Sequence, residues 1–173
     1  MNLKLTSNDE LDENLRNLVK AEKKALNFVI SHVAEIDRRK MYLDFAYPSL
    51  RAYLEERMGY DGGSAQRRID AARLSHSVPS IIESLHQGEI KLSQVTVLQR
   101  TLREVKGNIV SKEVKCALVE AIKNKSVNET QTIVAKALKV EIKNAPKMTT
   151  QADESVRFEI SLSKSQWEKF NKM

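Results

Sequence analysis

The sequence is short of turn-makers, with three prolines and five glycines in 173 residues. Those two residue types build most tight turns, so their scarcity excludes a fold of many short strands and favours helices. The single cysteine, Cys116, excludes an internal disulfide and a cysteine-rich zinc site. Its neighbours Val114, Ala117 and Leu118 mark it as a core thiol. Aromatic residues make up 5% of the chain, too few for a stacking platform that reads single-stranded nucleic acid. No apolar run is long enough to span a membrane, and the polar N-terminus lacks a signal-peptide core. The expectation is a cytoplasmic protein with no membrane partner.

Catalytic equipment is equally thin. His32, His76 and His86 each fall in a helical pattern, with no second histidine or cysteine at metal-ligand spacing. Glu55 and Glu56 are adjacent, and adjacent helical side chains point in different directions. Gly62-Gly63 is not followed by the Gly-Lys-Ser/Thr of a phosphate loop. No Ser/His/Asp arrangement stands out. The chain reads as a non-enzyme, with no catalytic residue, metal, cofactor or small-molecule substrate.

What is present is a soluble globular composition, 41% hydrophobic and 30% charged. The formal net charge is +6. Residues 41–75 balance at 5 basic and 5 acidic groups, whereas 111–147 carry 8 and 4. The excess therefore lies between Lys112 and Lys147. An excess of this kind suits a polyanion partner.

In chain order, Ser7 and Glu10 form a capping-box pattern. Leu11, Leu15, Leu18, Ala25, Leu26, Val29, Val33 and Ile36 then recur at helical spacing to about Arg39. A helix this long is expected to kink or break once, and it serves either as a scaffold laid across the domain or as a dimerisation helix. Tyr42, Phe45 and Tyr47 cluster ahead of the next helix and are expected to pack around it. Pro48 is placed in the first turn of that helix, whose apolar face is Leu50, Tyr53, Leu54 and Met58. Gly59 ends it and Asp61 caps the next. That second helix runs from about Gly62 to His76, with Ala65, Ile69 and Ala72 inside. Gly63, Ser64 and Arg67 face outward, and Gln66 and Arg68 flank them. Two helices, a short turn, and small and basic residues leading the second helix match what a DNA-reading helix-turn-helix needs. They match a plain pair of packed helices with a solvated basic edge equally well.

After Val78-Pro79, a short helix over Ile81, Ile82 and Leu85 ends at Gly88. Ser93 is expected to cap a helix with Val95, Val97, Leu98 and Leu102 on one face, to about Val105. Gly107-Asn108 reads as a turn. Ser111 opens a helix with Val114, Ala117, Leu118 and Ile122 inside. Ser126 and Glu129 form a second capping box, opening a helix through Ile133, Val134 and Leu138. Residues 141–154, with Pro146, read as a linker. Val156, Phe158, Ile160 and Leu162 alternate with polar residues as a half-buried strand. Ser163 or Ser165 begins a partial helix with Trp167 and Phe170 inside. A strand without a partner cannot make a sheet, so this tail reads as the start of something further or as a strand that pairs with another copy.

Several stretches together resemble a known family. They are Ile36-Asp37-Arg38-Arg39-Lys40-Met41-Tyr42-Leu43, Tyr47-Pro48-Ser49-Leu50, Gly59-Tyr60 and Arg67-Arg68-Ile69-Asp70-Ala71-Ala72-Arg73-Leu74. The likeness continues in Gly88-Glu89-Ile90-Lys91-Leu92-Ser93-Gln94, Asn124-Lys125-Ser126 and Val156-Arg157-Phe158. This set resembles the N-terminal region of bacterial HNH-endonuclease proteins. In that family a C-terminal HNH domain holds the metal and activates water, and no residue here matches its motif. A looser likeness over Gly59–Leu98 is to the DNA-binding core of ParB-type partition proteins. It implies that the Gly62–Leu74 helix enters a major groove, with Ser64, Gln66, Arg67 and Arg68 as contacts. Arg73, in the family-like stretch, joins them as a candidate. The Gly62-Gly63 pair departs from the alanine or glutamate expected there, and costs the helix start up to about 1 kcal/mol per glycine.

The expected protein is therefore mainly α. A multi-helix domain over 1–140 contains a helix-turn-helix at about 48–76. A linker over 141–154 leads to a strand and partial helix over 155–173. The expected function is double-stranded DNA binding, similar to the targeting region of an HNH endonuclease without its catalytic motif. The alternatives are a helical interaction module, a homodimer through the N-terminal helix, and the non-catalytic half of a split or truncated HNH endonuclease.

Overall fold

Ser7 starts the first helix, α1 (Asn8–Arg39), by accepting a hydrogen bond from the Glu10 N–H at 3.3 Å. The fold is that of a computed structural model describing residues 3–105, 110–140, 147–160, 162 and 164–172. It divides into a helical unit, Met1–Val140, and a second unit, Glu141–Met173. The expected break in α1 does not occur. Its 32 residues run through without proline or glycine to interrupt them. Only its C-terminal part is buried, at Ile30, Val33 and Ala34. Leu15 and Leu18 remain 61% and 66% exposed. Lys40 closes α1 in the left-handed conformation.

The one-turn helix α2 (Met41–Asp44) leads to α3 (Leu50–Ala52), which widens into a π-helical turn over Tyr53–Arg57. Ser49 caps α3, its hydroxyl accepting from the Ala52 N–H at 3.0 Å. Pro48 therefore sits one residue ahead of the cap, where it fixes the entry of the chain, rather than in the first turn of the helix. Gly59 takes φ +74° as expected, and the Tyr60 N–H reaches back to the Leu54 carbonyl. That closure spans one residue more than the usual Schellman bond, in keeping with the wider π turn. Tyr53 is buried between Phe45 (stacked, 6.0 Å) and Tyr47 (edge-on, 5.6 Å), which accounts for the aromatic cluster. Met58 is 47% exposed, off the apolar face assigned to it.

Helix α4 (Gly62–Ser77) is the centre of the unit. Asp61 caps it, accepting from the Ser64 N–H at 2.9 Å. Ala65, Ile69, Ala71, Ala72 and Leu74 are all buried, so α4 packs against α1 on one side and α6 on another. Helix α5 (Ile81–Gln87) ends at Gly88, whose φ of +79° is the left-handed C-cap. Helix α6 (Leu92–Glu104) is capped by Lys91, not Ser93: the Lys91 N–H donates to Gln94 Oε1 at 2.8 Å. Gln94 is fully buried, and its amide also donates to the Ile122 carbonyl (2.8 Å) and to Thr130 Oγ1 (3.1 Å). One glutamine side chain thus ties α6 to α7 (Lys112–Ile122) and α8 (Val127–Leu138).

Ser111 caps α7, and Ser126 with Glu129 completes the capping box of α8. The buried face of α7 is Leu118, Val119 and Ile122. Val114 and Ala117 lie on the exposed side, because the helix meets the core only through its last turns. Cys116 is half-buried beside that core. The Gly107-Asn108 turn lies outside the described residues, as does the 141–146 part of the linker and the helix start at Ser163.

In the second unit, Lys147–Thr150 is not linker but strand β1. It pairs antiparallel with β2 (Val156–Glu159), so β2 finds its partner within the chain. Asp153 Oδ1 holds the connecting loop by accepting from the Ser155 N–H and hydroxyl. Met148 faces Phe158, and Thr150 faces Val156. The expected half-burial is absent: every described β2 side chain is exposed. In α9 (Lys164–Phe170), Trp167 and Phe170 stack on each other and stay exposed.

Candidate nucleic-acid interface

The candidate residues all lie on α4, and the fold treats them differently. Ser64 is half-buried on the first turn, and Gly63 beside it is open to solvent. Arg67 reaches back one turn, donating to Ser64 Oγ at 3.1 Å. No carboxylate lies within ion-pair distance of it among the described residues. Arg68 Cζ sits over the Tyr60 ring, 4.2 Å from its centroid, and the guanidinium donates to the Ser64 carbonyl at 3.1 Å. Its Nε is buried without a hydrogen-bond partner. The cation–π contact ties the guanidinium to the turn that precedes α4.

Gln66 and Arg73 are committed to the fold. Gln66 donates to Asp70 Oδ1 at 2.9 Å. Arg73 forms a two-nitrogen pair with Asp37 (Nε–Oδ2 2.8 Å, Nη2–Oδ1 3.4 Å), locking α4 onto α1. The structure therefore brings Ser64, Arg67 and Arg68 together and sets Gln66 and Arg73 apart from them.

Sequence reasoning missed Asp70. It is completely buried, and its Oδ1 takes Arg103 of α6 at 3.0 Å as well as Gln66. Its main-chain carbonyl accepts from Gln99 at 3.2 Å. An aspartate flanked by Ile69 and Ala71 gives the only hint, since a charge set among inward-facing residues needs a partner from another element.

Facing Ser64, Arg67 and Arg68 across an open cleft of about 560 Å³ are Glu22, Lys23, Ala25, Leu26 and Val29 of α1, with Leu92 at its edge. Three cations and one carboxylate line this space. The Lys23 ammonium comes to rest over Gly88, where an added Cβ would lie 2.8 Å from Nζ. The two leading glycines of α4 also have close neighbours. A Cβ on Gly62 would meet the Arg51–Glu55 ion pair at 2.6 and 2.9 Å, and one on Gly63 would meet Asp61 and Arg67 at 3.2 and 3.3 Å. The hydrogen bonds from the Ser64 hydroxyl and N–H hold the Asp61 carboxyl below the usual aspartate range.

Outside this cleft, Lys112, Lys125, Lys136 and Lys139 are exposed on or beside α7 and α8. Lys123 is occupied by Glu120 (2.9 Å) and Glu89 (3.2 Å). Among the described residues no group of three His, Cys, Asp or Glu side chains could hold a metal ion, and no helix is long and apolar enough to cross a membrane. The chain matches no protein-family model, no curated protein and no solved structure.

Proposed function

We propose that this chain binds double-stranded DNA through the N-terminal end of α4, as a targeting module that acts by binding rather than by cleavage. The observation that carries the reading is the convergence of Lys23, Arg67 and Arg68 around the open cleft at that end, with Glu22 the one acid among them. Cations without carboxylate partners are what a phosphate backbone attracts, because each contact releases a condensed counterion. Arg67 is the leading contact: its guanidinium donates to the neutral Ser64 hydroxyl and lies beyond ion-pair distance of any carboxylate among the described residues, with Asp61 acting on it only through space. Arg68 is pre-positioned by Tyr60 and presents its edge to a phosphate or a guanine. Ser64 shapes the approach. Gln66 and Arg73 act indirectly, by holding α4 in place. The exposed lysines of α7 and α8 add sequence-independent attraction. The resemblance to the N-terminal region of HNH endonucleases supports the same reading.

The test is fluorescence anisotropy of a labelled duplex at low and moderate salt, with wild type beside Arg67→Ala and Lys23→Ala. The expected result is salt-dependent affinity whose log–log slope falls by about 1 for each lost phosphate contact. Absence of binding at low salt, or binding indifferent to both substitutions, overturns the reading. Metal-dependent cleavage of the duplex contradicts it outright.

A further inference from the structure

The N-terminal half of α1 is built as a helix with a partner face that no described residue of the helical unit covers. No residue before Leu26 belongs to the buried core or to the shell packed on it, among the described residues. Yet Leu11, Leu15 and Leu18 recur at steps of four and three, the spacing of a helix–helix seam. Leu15 and Leu18 are well exposed, as are Leu3 and Leu5 of the turn that precedes the helix. Leu3, Leu11, Leu15 and Leu18 rim a hollow of about 480 Å³, room enough for apolar side chains from another helix.

Charge along the same segment is divided. Asp9, Glu10, Asp12 and Glu13 come first; Arg16, Lys20, Lys23 and Lys24 come after them, interrupted only by Glu22. Asp12 pairs with Arg16 inside the helix at 2.8 Å. The remaining three acids and three lysines form no ion pairs among the described residues. We infer that this face docks a second copy of the same chain, antiparallel, crossing between Leu15 and Leu18. In that orientation the acidic block of each copy lies along the basic block of the other. A parallel pair would set like charge on like. Packed helices lie about 8–10 Å apart, close to one screening length at physiological salt, so the blocks set orientation even without close ion pairs. The leucine seam supplies the affinity. The inference concerns the free protein; Lys23 and Glu22 also line the cleft of the DNA reading, so the two are tested separately.

Sedimentation equilibrium of the full chain, without DNA, tests it. Wild type is expected to be a dimer at micromolar concentration. Leu15→Glu/Leu18→Glu is expected to be a monomer with an unchanged helical circular dichroism spectrum. Its dissociation constant should rise on the order of ten-thousandfold, since the dimer loses four leucines, two from each copy, and each buried leucine is worth about a factor of ten. Orientation is read by a nitroxide at Asn8→Cys in a Cys116→Ser background. The rise per residue puts the two labels roughly 25 Å apart in the antiparallel dimer. A monomeric wild type, a dimer that survives the double substitution, or labels at the short distance of a parallel pair would each overturn the inference.

Discussion

Replacing Arg103 by Met should destabilise the helical unit by about 2 kcal/mol, although the arginine itself is largely at the surface. The reason lies with its partner. Asp70 is completely buried and Arg103 is half exposed, with 3.0 Å between Nη1 and Oδ1. Asp70 Oδ2 is buried with no hydrogen-bond partner. Arg103 is thus the one cation within ion-pair distance of this carboxylate among the described residues. Breaking a fully buried pair costs about 3–5 kcal/mol, and a single hydrogen bond to a charged group contributes about 1.5–3. Two features place this case at the lower end: the Gln66 amide still donates to Oδ1, and water can enter the space the side chain vacates. Asp70→Asn removes the charge and keeps an acceptor for Gln66, so it should cost less, about 1 kcal/mol. The double variant should then be more stable than the sum of the two, by about 1–2 kcal/mol of coupling. Urea unfolding followed at 222 nm, with equal slopes for all four proteins, measures the cycle. Additive effects, or a cost for Arg103→Met below about 0.5 kcal/mol, would show that Asp70 does not depend on Arg103 and would refute the reasoning.

The same contacts set further expected outcomes. Gln94→Ala orphans the Lys91 N–H and takes one of its two donors from the Ile122 carbonyl, which keeps the Lys125 N–H, so a loss of about 1–3 kcal/mol is expected, visible as a drop of several degrees in Tm. Gly88→Ala should destabilise by about 1–2 kcal/mol, because φ is +79° there. Gly63→Ala should change stability by less than about 1 kcal/mol, because the gain in helix propensity is offset by crowding of the capping Asp61 Oδ1 3.2 Å away, while the Arg67 guanidinium at 3.3 Å sits on a flexible chain and can yield. Thermal unfolding of the two glycine variants side by side checks the contrast in size. Hydrogen bonds from Arg38 and then Arg39 hold the exposed Glu35 carboxyl down to about 2. A carboxylate with a depressed folded-state value stabilises above its unfolded value and loses that contribution as pH falls. Loosening at the C-terminal end of α1 should therefore come below pH 4 and continue toward 2, and Glu35→Gln should abolish that pH dependence in amide exchange.

How legible the fold was depends on whether a residue's partner lies nearby in sequence. The caps at Asp61, Ser111 and Ser126 and the stops at Gly59 and Gly88 are local devices, and they stand where the spacing put them. Asp70 finds Arg103 thirty-three residues away and Arg73 finds Asp37 thirty-six away, and no local pattern announces either. Gln94 looks like a surface polar residue until α7 and α8 close over it. Strand β1 was hidden for another reason: Met148 in Lys147–Thr150 is a lone apolar residue, too little alternation to read. At the candidate interface the sequence pointed to the start of α4 and to five of its side chains, of which the fold gathers Ser64, Arg67 and Arg68 around one cleft. The nearness of Lys23 could not be read, because it depends on how α1 crosses α4.

Glycine amides offer the most direct test of the central claim, because the sequence has only five glycines and their nitrogen resonances fall in a sparse region of the spectrum. Two of them, Gly62 and Gly63, open α4. A glycine-labelled sample titrated with a duplex at low salt should show Gly62 and Gly63 shifting early and returning as salt is raised, with Arg67→Ala weakening the response. Glycine amides that stay unmoved at saturating duplex would contradict the assignment of α4 as the DNA-contacting helix.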